Sequence, residues 1–282
     1  MANTYFVLII LGIIQAIAEF IPISSSGHLV ILEQIDFFKT TLHGVGKAGI
    51  MFINVALHLA TLFALIIYLW RDITGIVKGF FQGMASKDFH KSEVRIVCNI
   101  LVASIPAAFI GLVFHDFIEN LFSSARIAFI LLIINGIILI FTKIIPQKDR
   151  KLDEVGLIRS IVIGLCQAFA ILPGISRSGM TIAGGMGVGL APVEAARFSF
   201  LMAIPVIIGA GLLEGIKAFR IGFPAEILPA LGISAIVCVL VALASLKALL
   251  YMVKNIRIYV FGYYTIAVGI IGLAVLYLLG PR

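Results

Sequence analysis

Along the chain, long apolar runs are broken by short polar stretches, and most runs have the length of a membrane crossing. A helix needs roughly 20 apolar residues to cross the hydrocarbon core. Ala48 to Trp70 meets that length without an Asp, Glu, Lys or Arg. A polar, basic loop follows from Arg71 to Lys91. Ile96 to Phe114 crosses again, and a short acidic connection carries Asp116 and Glu119. Ile127 to Thr142 is the third crossing, followed by Lys143 to Arg159, the most charged segment of the chain. Phe198 to Leu213, Ile227 to Leu246 and Ile258 to Leu279 supply three more, six in all. Two places break the rule. Tyr5 to Ala18 offers fourteen residues before Glu19, and Leu29 to Leu32, after the serines and His28, is shorter still. Two short arms around a polar tip suit a re-entrant hairpin, which is tolerated at membrane depth only where protein or a water-filled cavity surrounds it. Ser160 to Val193 has the same form, with a second polar tip and a glycine-rich arm (Gly184, Gly185, Gly187, Gly189) suited to close helix packing.

The two tips are copies of one another. The first reads Gln15-Ala-Ile-Ala-Glu19-Phe-Ile-Pro22-Ile-Ser24-Ser25-Ser26-Gly27-His28, and the second runs from Gln167 through Pro173-Gly174-Ile-Ser176-Arg177-Ser178-Gly179 to Thr181. A shift of 152 positions places Gly12 on Gly164, Gln15 on Gln167, Ser24 on Ser176, Ser26 on Ser178 and Gly27 on Gly179, without a gap. The copies differ in charge: the first holds Glu19 and His28, the second Arg177. Each half has one hairpin and three crossings, and three is odd, so the second half enters the membrane upside down. The expected fold is therefore an all-α polytopic membrane protein with an inverted-topology repeat, six full transmembrane helices plus two re-entrant helical hairpins. It forms a single membrane domain over 1–282, with repeats 1–145 and 156–282. In such folds the site lies near the midplane where the halves meet.

Composition agrees. The chain of 282 residues is 61% hydrophobic and 12% charged, with a mean hydropathy of +1.16, against about 25% charged in soluble domains. A net charge of +7 does not imply nucleic acid, because basic residues in short loops are the ordinary orientation signal of a membrane protein. Arg71, Lys78, Lys87, Lys91, Arg95, Lys143, Lys148, Arg150, Lys151, Arg159, Lys247, Lys254 and Arg257 share one face, thirteen against the six of Lys39, Lys47, Arg126, Lys217, Arg220 and Arg282. The first face is then cytoplasmic, the first hairpin opens outward and both termini lie outside. Met1 to Phe6 has no basic segment and no evident cleavage site, so it reads as mature sequence. Cys98, Cys166 and Cys238 each stand alone in apolar runs, as buried small hydrophobes do.

A carboxylate at bilayer depth costs about 2.5–3.5 kcal/mol on insertion scales, so Glu19 is a functional residue by default. The plainer alternative is a protonated Glu19 bonded to a neighbouring helix. Gln15 shares its helix face and can offer an oxygen to a cation or bond to backbone. Ser24, Ser25 and Ser26 form a polar loop in which one serine caps a helix. Serine, imidazole and carboxylate together are the parts of an activated nucleophile with its acid/base partner. Arg177 needs an anion: its guanidinium matches phosphate oxygens, or it pairs with Glu19 and holds the halves together. Ser176 and Ser178 flank it, Gly174 and Gly179 let backbone N–H groups face a ligand, and a helix beginning near Gly179 presents its positive end. His58 and Asn54 share a face and either line the cavity or bond between helices. Glu194 and Arg197 support the second hairpin at its membrane edge. His43, His90 and His115 fall in loops and are given no role.

Gln15-x-x-x-Glu19, the Pro22-x-Ser-Ser-Ser-Gly-His28 run and Pro173-Gly-x-Ser-Arg-Ser-Gly-x-Thr181 resemble the signature motifs of the undecaprenyl-pyrophosphate phosphatase family, the bacitracin-resistance membrane proteins. The resemblance covers nearly the whole chain, including Val55-Ala-Leu-His58-Leu and Glu194-Ala-Ala-Arg-Phe-Ser-Phe-Leu. It implies hydrolysis of undecaprenyl diphosphate to undecaprenyl phosphate plus phosphate, recycling the lipid carrier of cell-wall peptidoglycan synthesis and conferring bacitracin resistance. It implies a multi-pass protein of the bacterial inner membrane, an active site toward the outer face, and a divalent cation, Mg²⁺ or Ca²⁺. By the same resemblance Glu19 is the metal-linked or base carboxylate, with Gln15 beside it as a metal ligand. Ser25 is the nucleophile, and His28 an acid/base group or rival nucleophile. Ser176, Arg177 and Thr181 hold the diphosphate, with Ser24, Ser26, Ser178, Gly174 and Gly179 lining the same tips. Position 15 is Gln where many members have Glu, and Asn54 stands where an acid is expected. The partners expected are a polyprenyl diphosphate and the bilayer, with no nucleic acid; a homodimer is one assembly open to the chain. The rival function is a transporter or flippase of polyprenyl phosphate, which would bind the lipid without releasing phosphate in detergent.

Overall fold

The computed structural model describes residues 2–32, 34–146, 148–255 and 258–279. Met1, Arg257 and Arg282, used in the terminus and charge readings above, lie outside the described residues. Among the described residues the regular structure is helical, with thirteen α-helices, three short 3-10 turns and no strand beyond a single bridge between Arg150 and Leu190. The helices are α1 (Ala2–Phe20), α2 (Ser25–Leu32), α3 (Asp36–His43), α4 (Gly46–Tyr68), α5 (Trp70–Ser86), α6 (Ser92–Val113) and α7 (His115–Phe122). They continue with α8 (Ala125–Phe141), α9 (Leu157–Phe169), α10 (Arg177–Gly187), α11 (Pro192–Ile221), α12 (Leu228–Asn255) and α13 (Val260–Leu279).

Among the described residues seven helices are long and apolar enough to cross a membrane: α1, α4, α6, α8, α11, α12 and α13. The pattern of runs predicts six, and the difference is α1. The apolar run ends at the first charge, whereas the helix continues through Glu19 to Phe20. Glutamate is a good helix former; the break comes at Pro22, which cannot continue an interior helix. The matching arm of the second half, α9, is shorter at 13 residues.

The basic loop from Arg71 to Lys91 is mostly helix α5, closed by Lys87 in a left-handed conformation (φ 56°). One flank of α5 is polar; the other packs on α6 through Gly79 and Gly83. A Cβ at Gly79 would lie 2.5 Å from Glu93 Cγ.

Packing exchanges elements between the halves. Helix α1 lies along α12, and its counterpart α9 lies along α6; α4 packs on α11, and α8 on α13. Two glycines 152 positions apart make the first two contacts close. A Cβ on Gly12 would meet Ser234 Oγ at 2.6 Å, and one on Gly164 would overlap the Ala103 carbonyl. The interior holds Phe20, Phe198, Phe200, Leu8, Leu57 and Leu132. Apolar side chains such as Phe63, Ile105, Phe109, Leu112, Leu240 and Ile271 remain on the outside, a belt suited to lipid rather than water.

Candidate active site

The two polar tips meet inside the bundle, each at the start of a short helix. After α1 the chain turns at Ile21–Ser24, and Ser24 takes a left-handed φ of 71°. That conformation is rare for a residue other than glycine. Ser24 Oγ accepts from Gly27 N at 3.2 Å and so caps α2. The second tip repeats the device: Ser176 Oγ accepts from Gly179 N at 3.1 Å and caps α10. Ser24 and Ser26 hydroxyls are 3.2 Å apart, and Ser176 and Ser178 hydroxyls 3.1 Å. The same local structure therefore recurs at the spacing found in the sequence.

Direct bonds join the tips. Gly174 N donates to Ser26 Oγ at 3.3 Å, and Ser24 Oγ donates to Ile175 O at 3.4 Å. Gly174 sits at φ 100°, and a Cβ there would strike the Ala128 carbonyl. Asn135, buried in α8, bridges both tips: its Oδ1 accepts from Ser176 N at 2.9 Å, and its Nδ2 donates to Pro22 O at 3.4 Å. Sequence reasoning missed Asn135, although a lone amide in the run Ile127 to Thr142 was a visible signal.

Glu19 is the hub. Its Oε1 accepts from Arg177 Nη2 at 2.5 Å across 158 positions of sequence. Its Oε2 accepts from Gln15 Nε2 at 2.9 Å and from Ser25 Oγ at 3.3 Å. His58 Nε2 stands 3.7 Å from the same Oε2. Glu19 is 8% exposed. Among the described residues Arg177 Nη1 is buried with no hydrogen-bond partner. Gln15 Oε1 is likewise buried without a donor. A buried group left unpaired costs about 1–3 kcal/mol, so each is a place where a ligand gains. The N-termini of α2 and α10 lie at these abutting tips, and each carries roughly half a positive charge.

The structure brings Glu19, Gln15, Ser25 and Arg177 together, with His58 beside them. The other site residues are placed differently. His28 Nδ1 is 2.8 Å from Ser24 O, and its Nε2 is 2.9 Å from Tyr264 Oη of α13, so this imidazole is not among the partners of Glu19. Thr181 Oγ1 bonds Arg177 O at 2.7 Å and Ser199 Oγ at 2.6 Å, inside the contact between α10 and α11. Ser176 and Ser178 are buried, as are Gly174 and Gly179 at the same turn. The N–H groups of the two glycines are engaged by Ser26 and Ser176. Tyr264 carried no sequence signal, lying in a run that reads as plain span, and Ser199 was visible only as part of the Glu194-Ala-Ala-Arg-Phe-Ser-Phe-Leu stretch.

Two other clusters lie apart from Glu19. Arg197 pairs with Asp72 at 3.0 Å and Glu194 at 3.1 Å, and Glu194 accepts from Leu152 N, tying α11 to the start of α5. His115, Asp116 and Glu119 hold ligand atoms within 4.8 Å of one another at α7, with Lys47, Glu214 and Lys217 around them.

A family model described as "Bacitracin resistance protein BacA" matches residues 8–271. A protein of Geotalea daltonii named undecaprenyl-diphosphatase is 37% identical over 265 residues, covering 94% of this chain and 95% of its own. A Thermomicrobium roseum protein of the same name is 37% identical over 279 residues, covering 94% and 96%. One from Moorella thermoacetica is 40% identical over 206 residues, covering 73% and 74%.

Proposed function

The chain belongs to the bacitracin resistance protein family, and on that premise we propose that the site around Glu19 is where it hydrolyses undecaprenyl diphosphate to undecaprenyl phosphate and inorganic phosphate. It is an undecaprenyl-diphosphatase, a membrane hydrolase that returns the lipid carrier of cell-wall synthesis to use and confers bacitracin resistance. The observation that carries the site is the meeting at one carboxylate of Ser25 Oγ (3.3 Å) and Arg177 Nη2 (2.5 Å).

Ser25 Oγ–H points its proton at Glu19 Oε2, so the carboxylate can take that proton as Oγ attacks the terminal phosphorus. The P–O bond to the inner phosphate breaks, undecaprenyl phosphate leaves, and a phosphoserine remains. Undecaprenyl phosphate carries off the proton that Glu19 took; the freed carboxylate then takes one from a water that attacks the phosphoserine phosphorus, the P–Oγ bond breaks, and Oγ regains that proton as inorganic phosphate leaves. Charge is the main obstacle. Arg177 turns its free Nη1, and then the Nη2 now on Glu19, to the phosphate oxygens, and the ends of α2 and α10 add their dipoles. His28 Nε2 is already engaged by Tyr264, which supports Ser25 over His28 as nucleophile. The prenyl tail lies among apolar helices and only the headgroup reaches the tips.

A divalent cation fits here. Glu19 offers one carboxylate, and Gln15 Oε1 is a buried oxygen with no donor; Mg²⁺ is commonly held by one or two carboxylates plus substrate phosphates. Bound, it would offset charge on the diphosphate.

The same reading makes α1–α2 and α9–α10 re-entrant hairpins of an inverted repeat. It is supported by the recurrence of Gly12 and Gly164, of the Ser24 and Ser176 caps, and of α1 on α12 and α9 on α6. An active site toward the outer face of the cell membrane is supported by the bias of basic residues along the sequence.

Phosphate release from undecaprenyl diphosphate in detergent with Mg²⁺ tests the site. Glu19→Gln, Ser25→Ala and Arg177→Ala should each lose about 10²-fold or more. A folded wild type that binds the lipid without turnover overturns this reading in favour of a flippase.

A further inference from the structure

We propose that α5 lies flat in the membrane interface and holds the headgroups of anionic phospholipids along its basic flank.

Its level is set by the spans on either side. Helix α4 has 23 residues and α6 has 22, about 33–35 Å each at roughly 1.5 Å per residue, enough to cross a core about 30 Å thick. Tyr68 and Ser92 therefore stand at one boundary of that core. Helix α5 starts at Trp70, just after α4 ends at Tyr68. Its middle meets the first turn of α6: a Cβ on Gly79 would lie 2.5 Å from Glu93 Cγ, and one on Gly83 would lie 2.5 Å from Val94 Cγ2. A helix whose start and middle both touch the boundary runs along it, neither down through the core nor out into water.

The surface of α5 fits that position. Trp70, Val77, Phe81 and Met84 recur at helical spacing and form one stripe. All four are exposed, Phe81 by 66% and Trp70 by 60%. Arg71 and Lys78 lie about a quarter turn round from the stripe, and neither has an acidic partner among the described residues. Lys91 joins that flank by donating its Nζ to Gln82 Oε1 at 3.0 Å. The one acid of α5, Asp72, is bound to Arg197 of α11 at 3.0 Å, so it does not offset the flank. The helix thus has one side for protein, one for acyl chains and one for anions. Cations beside large apolar side chains mark a helix that buries one face below the headgroups and attracts anionic lipid with the other. Nucleic acid or an acidic protein would use the cations and leave Trp70 and Phe81 in water.

Trp70 is the sole tryptophan of the chain, so its fluorescence reads α5 alone. The test places the full chain in vesicles of equimolar phosphatidylcholine and phosphatidylglycerol, with quenching bromines on the acyl chains of one lipid or the other. Brominated phosphatidylglycerol should quench Trp70 the more, with a preference of about fivefold or more at low salt. High salt should bring the two lipids toward parity, and so should the double variant Arg71→Gln, Lys78→Gln. The wild-type measurements need no variant, so poor folding of the double variant does not spare the proposal. Equal quenching by both lipids at low salt overturns the anionic preference. A preference that the double variant leaves intact overturns its assignment to this flank. Quenching by aqueous iodide without quenching by either lipid puts α5 in water and overturns the interfacial position. Shielding from iodide and from both lipids overturns it in favour of a second copy of the chain covering the stripe.

Discussion

His28 and Tyr264 form a stacked pair: their ring planes are 1° apart, with centroids at 5.7 Å and Nε2 to Oη at 2.9 Å. The other ring nitrogen meets Ser24 O, the carbonyl of the residue held at φ 71°. His28 thereby braces the strained turn that aims Ser25 at Glu19. His28→Ala should lose about tenfold or more in kcat, and His28→Asn, which keeps a short N–H donor, should recover part of it. Equal, complete loss in both variants would make the imidazole itself the reacting group. Tyr264→Phe keeps the stack and loses one hydrogen bond, so activity should stay within tenfold and stability fall by about 1 kcal/mol.

Glu19 occupies the guanidinium that the diphosphate must use. Glu19→Gln should therefore cut kcat about 10²-fold or more while KM stays level or falls, because the competing carboxylate is gone. A large rise in KM with kcat retained would assign Glu19 to binding alone. Arg177→Lys should not restore Arg177→Ala, since an ammonium cannot reproduce the planar fork.

Asn135 holds both tips through its two amide atoms. Asn135→Leu leaves Ser176 N and Pro22 O without those partners and should cost about 2–4 kcal/mol by thermal unfolding in detergent. Activity should fall further than stability does, because Ser25 and Arg177 lose their common support.

Gly12→Ala and Gly164→Ala probe the same contact in each half. The Cβ at Gly164 meets the Ala103 backbone, which cannot step aside, while that at Gly12 first meets a serine side chain. Both should destabilise by about 1–3 kcal/mol, Gly164→Ala the more. Equal tolerance of both would argue against close packing there.

Glu119 lies outside the spans, and the hydrogen bond from Lys47 at 2.7 Å holds its carboxyl below the usual carboxylate range. A lowered folded-state value stabilises above the ordinary carboxylate range and loses that contribution as pH falls through the folded value. The unfolding midpoint in detergent should drop on acidification, and Glu119→Gln should remove a small part of that drop, the pair being exposed.

The motifs at the tips were legible because charge and hydroxyls stand out in apolar sequence; Glu19, Ser25 and Arg177 do meet. The crossings were legible by length, except where Glu19 hid the last turn of α1, since a run ends at a charge and a helix does not. What stayed hidden was partnership. Nothing local says that His28 turns to α13 or that His58 reaches Glu19, because both depend on how helices distant in sequence pack. Thr181 shows the same limit: its hydroxyl reads as a ligand group and is spent on Arg177 O and Ser199.

The bonds between the tips have a mechanical consequence. A carrier that alternates access needs its two halves to part, or to slide, at the substrate site. Here Ser26 to Gly174, Ser24 to Ile175 and both arms of Asn135 rivet that very point. Parting it would strip several buried hydrogen bonds at once, each worth about 1 kcal/mol net and more if left unmade. The centre of the molecule is a pivot, and the freedom to admit a long prenyl tail belongs to the helices arranged around it.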